Sequence, residues 1–413
     1  MLSKLRKVRE LGVRGTISRL PVIGREAVHR AFPASRMLPA ARHVRERTGK
    51  SIAAQAREIR ELHRGPGRVR AFDYYAYGLY DDRVYSPAAR ADFVGWTYEE
   101  CLSRLWSVND PAWSGLCDDK LISYALFRGL GLPFPEVLAV FSPAGRRFGS
   151  VPSLRTDAEL ADFLRDGMRY PFFGKPASDA FGRGASSVRS LDADRDLLLL
   201  ADGREIGVDE YVRTVPGVHH AGRKKDAKGQ AGGYLFQQLI VQHPTIHRVS
   251  GGRVSSLRMV VLLGADGPQL FRVTWKLPVG ANITDHAIGT SGNLKCAVDP
   301  GTGRVEQVLR GRGPGGTPVY GIGFHGTPVE SHPDTSERIA GLQLPYWDRT
   351  VKLCLDAASS LPGLRYQSWD LVMGVDGPMV LELNAQGGIA QMPGGPGLND
   401  TEFRRFMAEC GRP

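Results

Sequence analysis

Apolar positions recur along the chain with two different periods, and the change between them divides it. Near the start, Met1, Leu2, Leu5, Val8 and Leu11 fall at helical spacing with Lys4, Arg6, Lys7 and Arg9 between them. Pro21, Pro33 and Pro39 interrupt this pattern, so residues 1–70 read as broken helices. After Phe72-Asp73-Tyr74-Tyr75 come a helical stretch over 87–108 and a second helix over 118–130, stopped by Gly129, Gly131 and Pro133. Val137–Phe141 reads as a short buried strand, and Thr156-Asp157 starts a helix over 156–166. From Tyr170 the pattern becomes strand, glycine loop, strand: Phe172–Pro176, then Ser178–Ser187, then a strand resuming at Ser187–Ser190. Residues 214–233, rich in Gly, Lys and His, read as a flexible surface loop. Strands are predicted at 234–241, 257–264 and 270–276, a Gly/Pro-rich stretch at 310–319, and a helix at 346–360. Two last strands, 368–374 and 378–383, are joined by the turn Val375-Asp376-Gly377. No repeat recurs at solenoid periods.

Length and charge narrow the picture. The 413 residues suffice for two to four packed units. The net charge of +11 is concentrated: residues 1–70 carry 18 Lys and Arg against 5 Asp and Glu, and the remainder is slightly acidic. The high pI therefore describes one segment, which argues against nucleic-acid binding by the body of the fold. The basic segment could lie on an anionic membrane or an acidic partner, or pack as a solvated helical face on the protein itself. Five dispersed cysteines (Cys101, Cys117, Cys296, Cys354, Cys410) form no CxxC pair and fit a reducing cytoplasm. No apolar run approaches the roughly 18 residues that span a bilayer, and no signal peptide is expected.

Four constellations carry candidate chemistry. The loop from Ser178, through Gly182 and Gly184, to Ser186 and Ser187 follows Lys175 at a strand end. Small residues let backbone N–H groups approach phosphate oxygens, and the lysine adds a point charge. A simple hairpin loop is the alternative. Asp370 lies about opposite Glu382 and Asn384 across the final turn, and the latter two share a face. Three oxygen donors on one face suit Mg²⁺; an exposed edge strand paired with Lys or Arg is the alternative. Arg258, inside the apolar strand Leu257–Val261, needs an anion: a phosphoryl group in transfer or a structural carboxylate. Lys276 at the end of the following strand carries the same two readings. In Cys117-Asp118-Asp119-Lys120, the acidic pair suits a helix N-terminus while Lys120 opposes the dipole, which favours a ligand role. His243 and His247 are four apart without an intervening acid or a clear helix, so zinc is not expected.

The order of these pieces resembles the ATP-grasp superfamily: Asp119-Lys120, Gly-Leu-Pro-Phe-Pro at 131–135, Phe173-Gly174-Lys175-Pro176 with its glycine loop, Phe236-Gln237-Gln238-Leu239-Ile240, Arg258, and Asp370 with Glu382-x-Asn384. Within it, the sugar-transfer-associated ATP-grasp family is similar in Tyr77-Gly78-Leu79-Tyr80-Asp81, Ser256-Leu257-Arg258-Met259, Thr284-Asp285-His286 with Gly289 and Gly292, His332-Pro333-Asp334-Thr335, and Trp369-Asp370 with Gly377-Pro378. The resemblance covers about residues 70–400.

It implies an α+β fold in which two lobes clasp ATP, preceded by the basic helical segment. The corresponding division is 1–70, a pre-ATP-grasp region 71–155, a small lobe 156–235 with the glycine loop, and a lobe 236–413 with the metal site. Lys120, Lys175, Ser178, Gly182, Gly184 and Ser186 would meet the nucleotide, and Gln238, Leu239 and Ile240 would form the adenine hinge. Arg258 and Lys276 would be catalytic. Asp370, Glu382 and Asn384 would hold Mg²⁺, or Mn²⁺ in its place. The implied activity is an ATP-dependent carboxylate–amine ligase working through an acyl phosphate on small-molecule substrates, in cell-envelope, polysaccharide or secondary-metabolite biosynthesis. A phosphotransferase to a hydroxyl and a non-catalytic nucleotide-binding scaffold are the alternatives. A cytoplasmic, membrane-peripheral homodimer would fit. Gln237 and Gln238 stand where many members carry an acidic residue, and His286 where Asn is more usual.

Overall fold

A computed structural model describes residues 37–95, 107–178, 182, 184–214, 233–286, 292–312, 320–385, 387 and 391–411. The chain forms two compact units, one of residues 1–107, 317–325 and 391–413, the other of 108–316 and 326–390. The chain returns twice to its first unit late in its course.

In the first unit, helices α1 (Met37–Thr48), α2 (Ile52–Arg64), α3 (Ala71–Ala76) and α4 (Pro87–Ala91) surround a core rich in tyrosine. Ala40, Ala41 and Val44 of α1 pack with Tyr74, Tyr75, Tyr77, Leu79, Tyr85 and Phe93. The described part of the basic segment is thus docked by its apolar stripe, with arginines outward; its first 36 residues lie outside the described set. Gly78 takes φ +68, which lets the Leu79 N–H turn back onto the Tyr74 carbonyl. The C-terminal helix Thr401–Glu409 belongs to this unit, where Arg404 bonds Asp92 and Gln391 bonds the Val94 backbone.

The second unit holds helices α5 (Pro111–Asp118), α6 (Lys120–Gly129), α7 (Asp157–Asp162), α8 (Val208–Thr214), α9 (Pro244–Ser250) and α10 (Trp347–Ser359). Its first sheet comprises β1 (Val137–Phe141), β2 (Ser153–Leu154), β3 (Phe172–Pro176), β4 (Ser186–Asp192), β5 (Leu197–Leu200), β6 (Glu205–Gly207) and β7 (Tyr234–Gln238), in the order β2-β1-β7-β3-β4-β5-β6. Leu160 of α7, Leu164 just after it, and Tyr211 and Val212 of α8 pack on Phe172, Val188 and Phe236 of that sheet. The second sheet comprises β8 (Ser256–Gly264), β9 (Gly267–Leu277), β10 (Leu294–Val298), β11 (Val305–Arg310), β12 (Thr327–Pro328), β13 (Tyr366–Met373) and β14 (Pro378–Asn384), in the order β12-β11-β10-β9-β8-β13-β14. Alternation sets its two faces. Leu257, Met259, Val273, Trp275, Cys296, Trp369 and Leu371 turn to a core shared with Cys354 and Ala358 of α10. Ser256, Arg258, Lys276 and Asp370 alternate with them.

Several predicted elements change. The helix over 87–108 is helical only to Ala91 before 92–95 leave that conformation, and 96–106 lie outside the described residues. The helix over 118–130 begins at Lys120 because Asp119 is extended (φ −134, ψ 116) and caps it. Residues 244–250, read as not clearly helical, form α9, with His243 capping Thr245 N. Elements α5, α8, β5, β6, β10 and β11 have no counterpart among the predictions. Most of the 214–233 loop lies outside the described residues.

Candidate functional site

A cavity of about 720 Å³ lies within the second unit, lined by side chains from both of its sheets. Lys175 reaches it from β3 and Lys120 from the first residue of α6, with Gln238, Leu239 and Ile240 at the end of β7. Ser256, Arg258, Lys276, Asp370 and Glu382 reach it from the second sheet, and residues 280–286 complete one wall. The volume is that of an ordinary ligand pocket.

Strand register fixes the charged face. Asp370 sits directly opposite Glu382 on β14 and opposite Arg258 on β8, and Ser256 sits opposite Lys276 on β9. A bulge between Asp370 and Leu371 places Leu381 as the extra residue beside Glu382. Two carboxylates facing each other across a hairpin repel unless cations intervene, and here they do. Arg258 Nε and Nη2 donate to the two Asp370 oxygens at 2.6 and 2.9 Å. Lys276 Nζ donates to Asp370 at 3.2 Å, and Lys120 Nζ lies 3.2 Å from Glu382. Burial would raise the Asp370 carboxyl, but Arg258 and Lys276 outweigh it and hold it below the usual range. Asp285 goes the other way: desolvation pushes it up, although Lys276 lies 3.8 Å away and Ser256 donates through both its N–H and its hydroxyl.

Lys175 meets a different environment. Its Nζ donates to the Tyr124 hydroxyl at 2.8 Å, and that hydroxyl donates to the Leu381 carbonyl at 3.0 Å. Burial pushes its ammonium down to about 8, against the opposing fields of Glu382 and Asp370. A desolvated lysine with no directly bonded carboxylate among the described residues is primed to gain from an arriving anion.

The glycine loop is tethered at both ends. Asp119 accepts the N–H groups of Leu121 and Ile122, a two-pronged bond from Arg146 at 2.7 and 2.9 Å, and the Ser178 hydroxyl at 3.4 Å. The Lys120 N–H donates to the Ala177 carbonyl at 2.9 Å, which fixes the start of α6 to the loop entrance. At the far end, Tyr234 donates to the Gly184 carbonyl at 2.9 Å. It can do so because Gly174 has no Cβ; one there would lie 2.6 Å from the Tyr234 ring. Ser186 turns into the sheet core, bonding Tyr211 at 2.7 Å and Tyr234 at 2.9 Å, while its neighbours Ala185 and Ser187 line the cavity.

The structure therefore gathers most of the residues singled out in the sequence. Lys120, Lys175, Gly182, Gln238, Leu239, Ile240, Arg258, Lys276, Asp370 and Glu382 all line one cavity. Gly184 and Ser178 lie in its loop, whereas Ser186 serves as a core tether. Asn384 sits one row further along, opposite Ser368, with its buried Nδ2 unpartnered among the described residues. Asp119 caps a helix as the sequence suggests, but its hold on Arg146 and Ser178 has no sequence signal, and Arg146, Tyr124, Ser256 and Asp285 carry no role readable from the sequence. Alternation could have found Ser256, two residues before Arg258 and so on its face.

The donor set suits a hard divalent cation. Two opposed carboxylates and a nearby carboxamide offer oxygen alone, the preference of Mg²⁺, with substrate phosphates and water to complete its shell. Among the described residues no group of three or more His, Cys, Asp or Glu side chains is placed to hold a metal ion. No described helix is long and apolar enough to cross a membrane.

Among solved structures, the ATP-grasp ligase PsnB complexed with minimal precursor aligns at 16% identity and a TM-score of 0.36, over 74% of this chain and 64% of that one. D-alanine–D-alanine ligase from Bacillus anthracis aligns at 14% identity and a TM-score of 0.36, over 73% and 68%. L-amino acid ligase from Bacillus licheniformis aligns at 14% and 0.33, over 66% and 41%. The chain thus spans less than two thirds of the PsnB chain. No curated protein matches it. The sugar-transfer associated ATP-grasp family matches residues 105–405, a range that holds the whole cavity and nearly three quarters of the sequence, and the chain belongs to that family.

Proposed function

We propose that the chain is an ATP-dependent carboxylate–amine ligase, acting in the cytoplasm on small molecules. The observation that carries this reading is the convergence of Lys120, Lys175, Arg258 and Lys276 with Asp370 and Glu382 on one cavity between two sheets. Cations there would take the phosphates of ATP, and carboxylates opposite one another would take the metal that accompanies them. The Ile240 N–H, which makes no hydrogen bond among the described residues, and the adjoining backbone suit the edge of adenine.

In the proposed reaction a substrate carboxylate oxygen attacks the γ-phosphorus, and the bond to the ADP oxygen breaks. An amine then attacks the acyl carbon, phosphate leaves with the C–O electron pair, and the amine gives up a proton. Asp370, Glu382 and the Asn384 carboxamide would hold Mg²⁺, which supplies charge neutralisation between the phosphates. Arg258 and Lys276 would exchange part of their hold on Asp370 for the transferring group, stabilising its charge in a site already desolvated. The tethered loop 178–187 would cover the phosphates and keep water from the acyl phosphate. Calorimetry with ATP and Mg²⁺ on wild type and Glu382→Ala tests the reading. Binding that requires Mg²⁺ and fails in the variant supports it and opens a screen of carboxylates and amines for ADP release. A folded wild type that binds no nucleotide sinks it, and ADP release without an amide product points instead to phosphotransfer.

A further inference from the structure

One cation on the charged face is left over. Along the row Ser256, Lys276, Lys295, each residue lies directly opposite the next on neighbouring strands β8, β9 and β10. Two lysines facing each other repel. Arg258 lies two residues along from Ser256, on the same face. The carboxylates within this group are taken: Asp370 holds Arg258 and Lys276, and Asp285 holds Ser256 beside Lys276. Lys295 has no ion pair among the described residues. Lys295 is part-buried, and desolvation, with Arg258 and Lys276 adding to it, pushes its ammonium down to about 8. Beyond it, its cross-strand neighbour is apolar Leu309.

A lysine kept in a partly desolvated place beside two other cations raises the free energy of the empty fold and lowers that of any oxyanion complex. We propose that Lys295 seats the oxyanion of the second substrate, a carboxylate or phosphate group, next to the nucleotide site but not part of it. This rests on the ligase reading of the cavity that Lys276, directly opposite Lys295, lines, and narrows its substrates to an acidic small molecule.

Competitive acetylation of the wild-type chain at pH 8, read lysine by lysine by peptide mass spectrometry at constant ionic strength, tests it. A non-hydrolysable ATP analogue with Mg²⁺ should slow Lys175 by about 10-fold at ten times its Kd and leave Lys295 reactive. Malonate or inorganic phosphate, added on top, should then slow Lys295 by about 5-fold or more. A larger effect of malonate assigns a carboxylate, and a larger effect of phosphate assigns a phosphorylated acceptor. If neither anion slows Lys295 while Lys175 is shielded, or if the nucleotide analogue alone shields Lys295 fully, the inference is overturned and the ligase reading stands. An unshielded Lys175 removes the ligase reading itself. As a second measurement, the rise in melting temperature given by the anion should vanish in Lys295→Met, persist in Lys295→Arg, and leave the rise given by nucleotide intact in both. An unchanged anion effect in Lys295→Met also overturns it.

Discussion

Asp370→Asn removes one negative charge from between two cations and changes almost no volume. The Asp370 side chain is 8% exposed, Lys276 14% and Arg258 28%. Removing one partner of a buried ion pair costs about 3–5 kcal/mol, because the other charge is left without compensation. Water can reach part of Arg258, so the low end applies: about 3 kcal/mol, or roughly a 100-fold change in the folding equilibrium. Denaturant unfolding followed by tryptophan fluorescence reports on this region directly. Trp275 and Trp369 are fully buried, each one residue from Lys276 or Asp370. Arg258→Met combined with Asp370→Asn should cost much less than the two singles added together. The pH dependence has a definite sign. A carboxyl held below its usual range stabilises the fold above about pH 4, and that stability is lost as the pH falls through its lowered value. The gap between wild type and variant should therefore be full at pH 7 and close in acid. A loss below about 1 kcal/mol at pH 7, or a gap independent of pH, would refute the ion-pair account.

Three other outcomes follow from the same geometry. Lys175, at about 8, must be protonated to hold a phosphate, so the Kd for MgATP should rise toward about tenfold per pH unit above 8; calorimetry from pH 7 to 9.5 would show it, and a flat profile would remove Lys175 from the phosphate site. Asp119→Ala removes a helix cap together with the anchors of Arg146 and Ser178, and should cost at least about 1 kcal/mol in denaturant unfolding while weakening nucleotide binding. Gly174→Ala drives a methyl into the Tyr234 ring and should cost about 1–3 kcal/mol; a variant as stable as wild type would show that the tether from Tyr234 to Gly184 is dispensable.

How much of this was legible in the sequence depended on whether the signal was local. Asp370 opposite Glu382 could be read because two alternating strands flank a short turn, and alternation with turn length fixes register. The bulge beside Asp370, which brings Leu381 into the cavity wall, has no sequence signature of that kind. Strand β10 shows clean alternation at Leu294, Cys296 and Val298, yet five residues are too short a signal to mark it, or Lys295 on it, in the sequence. Helix α9 leaves little trace in the sequence because His243 is an unusual cap and the helix has only seven residues. Arg258 was recognised as needing an anion, but which anion is a question of long-range pairing: Asp370 is 112 residues away. Ser186 reads as a phosphate contact because small residues surround it, and only the packing of Tyr211 and Tyr234 shows its bonds into the sheet core.

The first unit is assembled from three separated stretches, and the order of synthesis then matters. Its opening residues, up to 107, leave the ribosome long before Gln391–Pro413 exists. Roughly 280 residues intervene, which at about 5–20 residues per second amounts to tens of seconds. During that interval Asp92, Val94 and Tyr85 lack the partners Arg404, Gln391 and Gly394 that they bond in the finished fold. The second unit, by contrast, is complete once residue 390 has emerged. A newborn chain therefore carries a tyrosine-rich core without these partners throughout that interval, and residues 391–413 act as its clasp. Removing them by early termination should leave the sheets folded and expose that core to chaperones and proteases.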